Sequence, residues 1–447
     1  MQINMTKGSV AGSMLRFAFP MMAGNLLQQF YNVADTLIVG RFIGPDALAA
    51  VGASSAVVIF LTSMLLGLCM GSGVLFSMLY GAGERERMKT GFLWSFLFVG
   101  GLSILLETAA LLFTSPLLRL LQIPTSILEL TYDYLHTIFY GIICTFLYNY
   151  FATILRSVGN SLIPLLFLGI SALLNIALDI LFIVSFSMGV QGAALATVLA
   201  QALSAGGIAL YFFFRFKELR PSRRHMRFER SILRQIIQYS LLTSVQQSIM
   251  NFGILLVQGL VNSFGVAVMA AFAAAVKIDA FAYMPVQDFG NAFSTFIAQN
   301  HGAGEKARIK KGLRAAVCTA FIFCAFVSAA VVLFAEGLMA VFIDPVETEI
   351  IGIGAQYLRV EGACYVGIGC LFLLYGLYRG LGRPGFSVVL TVVSLGTRVL
   401  LAYLLAPIPA IGLWGIWWSV PIGWFLADAL GLLYCRRVFR RLPEKGA

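Results

Sequence analysis

Charge is what this chain has least of. Asp, Glu, Lys and Arg make up 11% of it, against about 25% in soluble domains, and 60% of its residues are hydrophobic. With a mean hydropathy of +0.89, that balance excludes a soluble globular domain and indicates an integral membrane protein with little soluble mass. Histidine is nearly absent: three scattered residues form no zinc-type cluster. The seven cysteines (69, 144, 318, 324, 364, 370 and 435) contain no CxxC pair and read as buried reduced thiols, not as a disulfide or metal framework. No GxSxG, HExxH or GxxxxGKS/T stretch occurs, so the corresponding hydrolase, metalloprotease and nucleotide-binding chemistries have no motif here. Without a nucleotide site, any transport by such a chain must run on an ion gradient or on a partner. The first apolar run is too long for a signal peptide and has no small-residue cleavage site after a short core.

Long apolar runs are what the chain has instead. Twelve can be drawn, at roughly 14–40, 47–79, 90–115, 127–155, 161–186, 189–215, 232–261, 267–299, 313–336, 349–378, 385–406 and 412–435. Each can cross a hydrocarbon core of about 30 Å, which needs about 20 helical residues. Lipid leaves no partner for an unpaired backbone group, so runs this long and uniform form helices and not barrel strands. The chain also repeats itself. Gly81-Ala82-Gly83-Glu84-Arg85 returns 221 residues later as Gly302-Ala303-Gly304-Glu305-Lys306. Arg156-Ser157-Val158-Gly159-Asn160 returns 223 residues later as Arg379-Gly380-Leu381-Gly382-Arg383, and Gly189 and Gly192 return as Gly412 and Gly415. A nearly constant offset over half the chain indicates duplication of a six-helix unit, an arrangement common in secondary transporters. The expected architecture is all-α and polytopic: an N-lobe at 1–216, a polar linker at 217–231 and a C-lobe at 232–447. Pro221 lies in the linker, for which a short amphipathic helix on the cytoplasmic face is expected.

The net charge of +11 could suggest nucleic acid, but its distribution does not. Of 31 basic residues, 26 fall on one side of a twelve-helix arrangement, concentrated at 215–234, 306–314 and 436–445. By the positive-inside rule that side is cytoplasmic and holds both termini, as in a bacterial inner membrane. The basic charge thus sets topology and adds contact with anionic lipid; no nucleic-acid partner is expected.

A charge at a helix centre costs roughly 2.5–3.5 kcal/mol, so residues retained there are the first functional candidates. In the N-lobe they are Asp35 and Asp179. Gln28, Asn32 and Asp35 lie on one helical stripe, Asn175 and Asp179 on another, Thr197 and Gln201 on a third, and Tyr134 and Asn149 add polar groups on the fourth segment. If these stripes face one another they enclose a polar cavity around two carboxylates. Such a cavity suits a proton, because burial and a nearby like charge favour the neutral acid. It suits Na⁺ equally, since carboxylate, amide and hydroxyl oxygens are its ligands; Asp35, Asn175, Asp179 and Thr197 would supply them. The bland alternative is that each polar group only bonds a neighbouring helix. Pro20 removes a backbone hydrogen bond early in the first segment and marks a bending point. In the C-lobe the seventh segment has no acid, only Gln246, Gln247, Asn251 and Gln258. Lys277, Asp279, Asp288, Glu361 and Arg398 form a candidate polar network there, although Lys277 and Asp279, two apart, point to different sides of a helix.

On these residues the chain resembles the MATE (multidrug and toxic compound extrusion) transporters over nearly its whole length. Pro20, Asn32-Val33-Ala34-Asp35, Gln299-Asn300-His301-Gly302-Ala303-Gly304, the two Arg-x-x-Gly turns and the Asn175/Asp179 pair carry the likeness, and within the family the pattern is closest to the DinF-like branch. The resemblance implies a V-shaped fold of two six-helix lobes. It implies coupling-cation binding by the N-lobe acids and their polar neighbours, and a hinge at Pro20. Two departures stand out: position 152 is Ala152 where related members can carry an amide, and the helix-7 acid of the NorM-like branch is missing. The expected function is a cation-coupled (H⁺ or Na⁺) multidrug antiporter for small, often cationic amphiphiles. It needs no cofactor beyond the coupling ion, has the bilayer and its substrates as partners, and is expected to be a monomer. The main alternative is a flippase for a lipid-linked oligosaccharide or lipid; a membrane-embedded enzyme or scaffold is a more distant one.

Overall fold

The computed structural model describes residues 2–440, apart from the side chains of 252, 254 and 255. Met1 and residues 441–447, including the basic Arg441 and Lys445, lie outside that range. Sixteen helices run in order among the described residues: α1 Val10–Phe42, α2 Pro45–Ala82, α3 Arg85–Leu112, α4 Thr114–Leu120, α5 Leu128–Phe139, α6 Ile142–Ser157, α7 Leu162–Asp179, α8 Gly189–Arg215, α9 Arg230–Asn262, α10 Val266–Gly302, α11 Lys306–Leu333, α12 Ala335–Met339, α13 Thr348–Ala363, α14 Tyr365–Gly380, α15 Pro384–Leu405 and α16 Leu413–Arg440. The described residues contain no β-strand.

All twelve apolar segments are helical. Among the described residues, nine helices are individually long and apolar enough to span a membrane, and α5–α6 and α13–α14 each make one further span by the same measure, bent by 42° and 53°. α1 is the twelfth. Its 33 residues reach about 50 Å at the α-helical rise, but the amides of Asn25, Gln28, Gln29 and Asn32 dilute its hydropathy. The breaks in the two bent spans fall at Tyr140–Gly141 and at Cys364, matching points of the two halves. A break exposes N–H groups at the start of the second half-helix, and the Glu107 carboxylate accepts one of them, the N–H of Ile143, at 3.0 Å.

The repeated motifs have a conformational reason. Gly83 and Gly304, Gly159 and Gly382, and Gly189 and Gly412 all have positive φ, between 51° and 84°, in the left-handed region that glycine enters without a Cβ penalty. What the duplication preserved in sequence is the set of turns that end and begin its helices.

By internal contacts the chain divides into unit 1, Met1–Asn4 with Phe19–Ser244, and unit 2, Met5–Ala18 with Val245–Ala447. These units differ from the sequence lobes in two stretches, and packing explains both. A Cβ on Gly67 would lie 2.4 Å from the Ser244 Cα, and one on Gly71 would lie 2.3 Å from the Tyr239 carbonyl oxygen. This small-xxx-small stripe lets α2 and the first half of α9 touch backbone to backbone, and the Ser72 and Ser240 hydroxyls meet there at 2.9 Å. The 5–18 stretch is tied to unit 2 by Arg308, whose guanidinium donates to the carbonyls of Met5 (2.9 Å), Lys7 (2.8 Å) and Gly8 (2.9 Å).

Two expectations change. The 217–231 linker is not an amphipathic helix but two short 3₁₀ turns, Lys217–Leu219 and Arg223–Met226, separated by Pro221. It is held to the start of α3 by Arg85–Glu218 (2.9 Å), Arg87–Glu229 (2.9 Å) and the Arg224 and His225 contacts with Glu86 (both 3.0 Å). The seven cysteines are free, but only Cys69 and Cys324 are buried, and Cys318 is exposed on α11. Apolar sequence in a membrane protein does not imply burial, since an outer face meets lipid.

Candidate functional site

The two N-lobe acids come together inside unit 1. Asp35 lies on α1 and is 9% exposed; Asp179, the last residue of α7, is fully buried. Their carboxyl groups are within hydrogen-bonding contact of one another. Two carboxylates can share such a bond only if a proton or cation sits with them. Their Oδ1 atoms are buried without a donor from the surrounding side chains, and the described residues place no cationic side chain in electrostatic contact with the pair. After Asp179 the chain turns through a π-helical stretch, Ile180–Ser185, a widened turn often found at functional positions.

Asn175 and Thr197 complete this cluster. The Asn175 amide satisfies both neighbours when its nitrogen faces Asp179 Oδ2 at 3.0 Å and its oxygen faces the Thr197 hydroxyl and backbone N–H, each at 3.2 Å. Tyr31, which no sequence motif marks, joins the cluster. Its hydroxyl bonds the Thr197 side chain and lies in electrostatic range of both aspartates, as does Tyr134, which is 8% exposed. At 100° per residue, Tyr31 sits about 40° to one side of Asp35 and Asn32 about 60° to the other. The Tyr31 side turns inward. Gln28 and Asn32 are exposed, and Asn32 donates to Gln29 Oε1 at 3.2 Å; the expected stripe therefore does not line the carboxyl pair.

Gln201 and Asn149 form a second polar layer, one turn further along α8, through a residue not anticipated. The Thr145 hydroxyl donates to Gln201 Oε1 at 2.7 Å, and Asn149 Nδ2 donates to the Thr145 carbonyl at 2.8 Å. Pro20 sits inside an unbroken α1, two residues after the helix passes from unit 2 to unit 1.

Unit 2 holds its own carboxyl pair. Asp279 on α10 accepts from the Tyr365 hydroxyl at 2.6 Å and is in hydrogen-bonding contact with Glu361 on α13. Tyr357 bonds Glu361, and Arg398 on α15 is in electrostatic range of both acids. The five-residue network expected here is smaller. Lys277 is exposed, as its two-residue offset from Asp279 requires. Asp288 is buried nine residues further along α10, about 13 Å by helical rise. Arg359 is also exposed, paired with Glu336 at 2.8 Å.

With this geometry in hand, comparison with known proteins decides the family. The MatE family profile matches residues 20–181 and again 243–404. From residue 20 to residue 243 is 223 positions, the offset of the sequence repeat. This chain belongs to the MatE family. Members of that family are membrane transporters and not enzymes. Among its relatives are the probable multidrug resistance protein YpnP of Bacillus subtilis (strain 168), 31% identical over 87% of this chain and 86% of that protein. A second is the probable multidrug resistance protein YoeA of the same organism, 27% identical over 96% of this chain and 93% of its own. The fold is that of a solved multidrug resistance MATE family transporter of the MOP superfamily in an outward-facing conformation. The match has a TM-score of 0.92 and 25% identity, and covers 99% of both chains. The MatE chain described here is thus a multi-pass, all-α membrane transporter with a duplicated helical fold.

Proposed function

We propose that this MatE chain is a cation-coupled antiporter that exports small amphiphilic, often cationic compounds by alternating access, with both termini in the cytoplasm. The observation that carries this reading is the buried Asp35–Asp179 carboxyl contact, which no cationic side chain among the described residues balances. Proton or Na⁺ entry from outside neutralises the pair, with Asn175 and Thr197 supplying further oxygens for Na⁺. α1, which contributes Asp35, then repacks about Pro20 and releases substrate outward. Ion loss to the cytoplasm resets the site. An inward cation gains about 2.3 kcal/mol per 100 mV, equivalent to roughly 50-fold accumulation of a neutral solute. The relatives named as multidrug resistance proteins support the substrate class.

Ethidium efflux from proteoliposomes tests this, first under an imposed pH gradient and then under an imposed Na⁺ gradient. Gradient-driven export is expected for the native chain, with near-complete loss in Asp35→Asn and in Asp179→Asn at equal protein incorporation. Native rates in both variants would overturn the site.

A further inference from the structure

Unit 2 contains a second polar site, unlike the first in charge. α10 and α14 pack at backbone distance through facing small residues. A Cβ on Gly376 would meet the Gly290 carbonyl oxygen at 2.4 Å, and one on Gly380 the Ser294 carbonyl oxygen at 2.6 Å. Gly376 and Gly380 flank Arg379, so this close contact fixes the arginine against α10. Arg379 is 4% exposed, and its Nη2 donates to Asn291 Oδ1 at 2.7 Å. Asn291 is an uncharged amide. No acidic side chain among the described residues pulls electrostatically on Arg379.

The arginine lines a small, partly open pocket of about 20 Å³ together with Gln246, Gln247, Met250, Gln287, Asn291, Phe372 and Tyr375. Among the described residues no acid lines it; Asp288, although adjacent to Gln287, does not. A buried guanidinium bonded to an amide, with no carboxylate acting on it among the described residues, carries an unbalanced charge, a costly state unless an anion arrives. Gln246 Oε1, buried in the same wall, has no donor. The site therefore offers one cationic fork and one unfilled acceptor, with the buried rings of Phe372 and Tyr375 closing its wall.

We propose that this pocket binds the headgroup of an amphiphilic organic anion, its carboxylate or phosphate on Arg379 and a neighbouring N–H or O–H donated to Gln246, with the rest of the molecule outside the pocket's open side. The substrate range then extends from cations to anions and zwitterions. The inference rests on the exporter reading only in taking the ligand to be a transported solute. The same headgroup chemistry could come from an anionic lipid, and the test separates the two.

Purified full-length protein in phosphatidylcholine nanodiscs is titrated with dansylglycine, which carries a carboxylate beside a sulfonamide N–H, and with dansylglycinamide, its uncharged counterpart. Binding is read from dansyl fluorescence without any ion gradient, so failure of coupled efflux and failure of this site remain distinguishable. The native chain is expected to prefer the carboxylate by about tenfold, the scale of one charge-assisted bond. Arg379→Gln removes that preference and Arg379→Lys retains part of it. Gln247→Glu keeps the arginine but places a carboxylate beside it; it is also expected to remove the preference, which covers the case where Arg379→Gln does not fold. Loss of the native preference only in discs containing phosphatidylglycerol would assign the site to a lipid headgroup and overturn the solute reading. Equal binding of the two probes to the native chain, or an unchanged preference in Gln247→Glu, would overturn the proposal outright.

Discussion

The two kinds of aspartate neighbour on α1 give the sharpest residue-level test. Asn32 is part of the motif that carries the family resemblance, yet it is exposed and its amide side chain donates to Gln29, away from the carboxyl pair. Tyr31 belongs to no motif but bonds Thr197 beside the carboxyl pair. Asn32→Ala is therefore expected to leave the coupling-ion dependence of ethidium efflux near native. Tyr31→Phe, which removes one hydroxyl, should raise the ion concentration for half-maximal efflux about threefold to tenfold, the range of one buried hydrogen bond. The reverse ranking would show that the stripe, and not the buried flank, faces the ion. Asp35 and Asp179 were legible in the sequence because a carboxylate inside a span is expensive and therefore conspicuous. Tyr31 was not, because a tyrosine in a chain with 16 of them and 37 phenylalanines is cheap to place in a membrane. Thr145 escaped for the same reason: a hydroxyl that can bond its own helix raises no flag in the sequence.

At the scale of helices, glycine separates close packing from mere flexibility. Gly71 on α2 has the Tyr239 carbonyl 2.3 Å from where a Cβ would stand, whereas Gly101 on α3 has nothing within 4 Å. Gly71→Ala forces one backbone off another and should cost about 1–3 kcal/mol, as overpacking does. Gly101→Ala should be neutral or slightly stabilising. Thermal unfolding of the purified variants compares them, and equal midpoints would remove the packing argument for the unit 1 boundary. The helices themselves were readable from run length alone, but which ones pack at backbone distance was not, since it depends on the partner strip as much as on the glycine. The linker was misread for a related reason. Its charges suggested a helix face, but they are used by partners on α3, far away in sequence: Glu86 meets both Arg224 and His225. Glu86→Gln is expected to speed trypsin cleavage at 220–227 in inside-out vesicles and to leave right-side-out vesicles uncut. Cleavage only in right-side-out vesicles would reverse the proposed topology.

Across the whole chain, each unit holds one carboxyl pair, but the 223-residue repeat does not relate them: Asp35 and Asp179 correspond to Gln258 and Ala402, so the two pairs arose separately on the shared scaffold. The unit 2 pair, Asp279 and Glu361, has Arg398 in range together with the hydroxyls of Tyr357 and Tyr365. The fold thus supplies one positive charge, which offsets one carboxylate, while the contact between the two acids holds one proton; the cluster reaches neutrality without a metal cation. Among the described residues the unit 1 pair has amide and hydroxyl neighbours but no cationic side chain, which is why the coupling ion is proposed to sit there. The repeat fixed the scaffold, while the placement of a single arginine on α15 separates a self-balanced cluster from an ion-dependent one. Two outcomes follow from this difference. Asp279→Asn combined with Glu361→Gln leaves Arg398 buried without its partners, a loss that breaking a buried pair puts at about 3–5 kcal/mol. The double variant should therefore unfold at lower temperature yet keep the native choice between H⁺ and Na⁺ in those proteoliposomes that retain folded protein. Asp35→Asn should do the opposite, with thermal stability near native and gradient dependence gone. If the double variant changed the coupling ion while Asp35→Asn did not, the coupling site would belong to unit 2, and Arg398 would have to leave the acids when the ion binds.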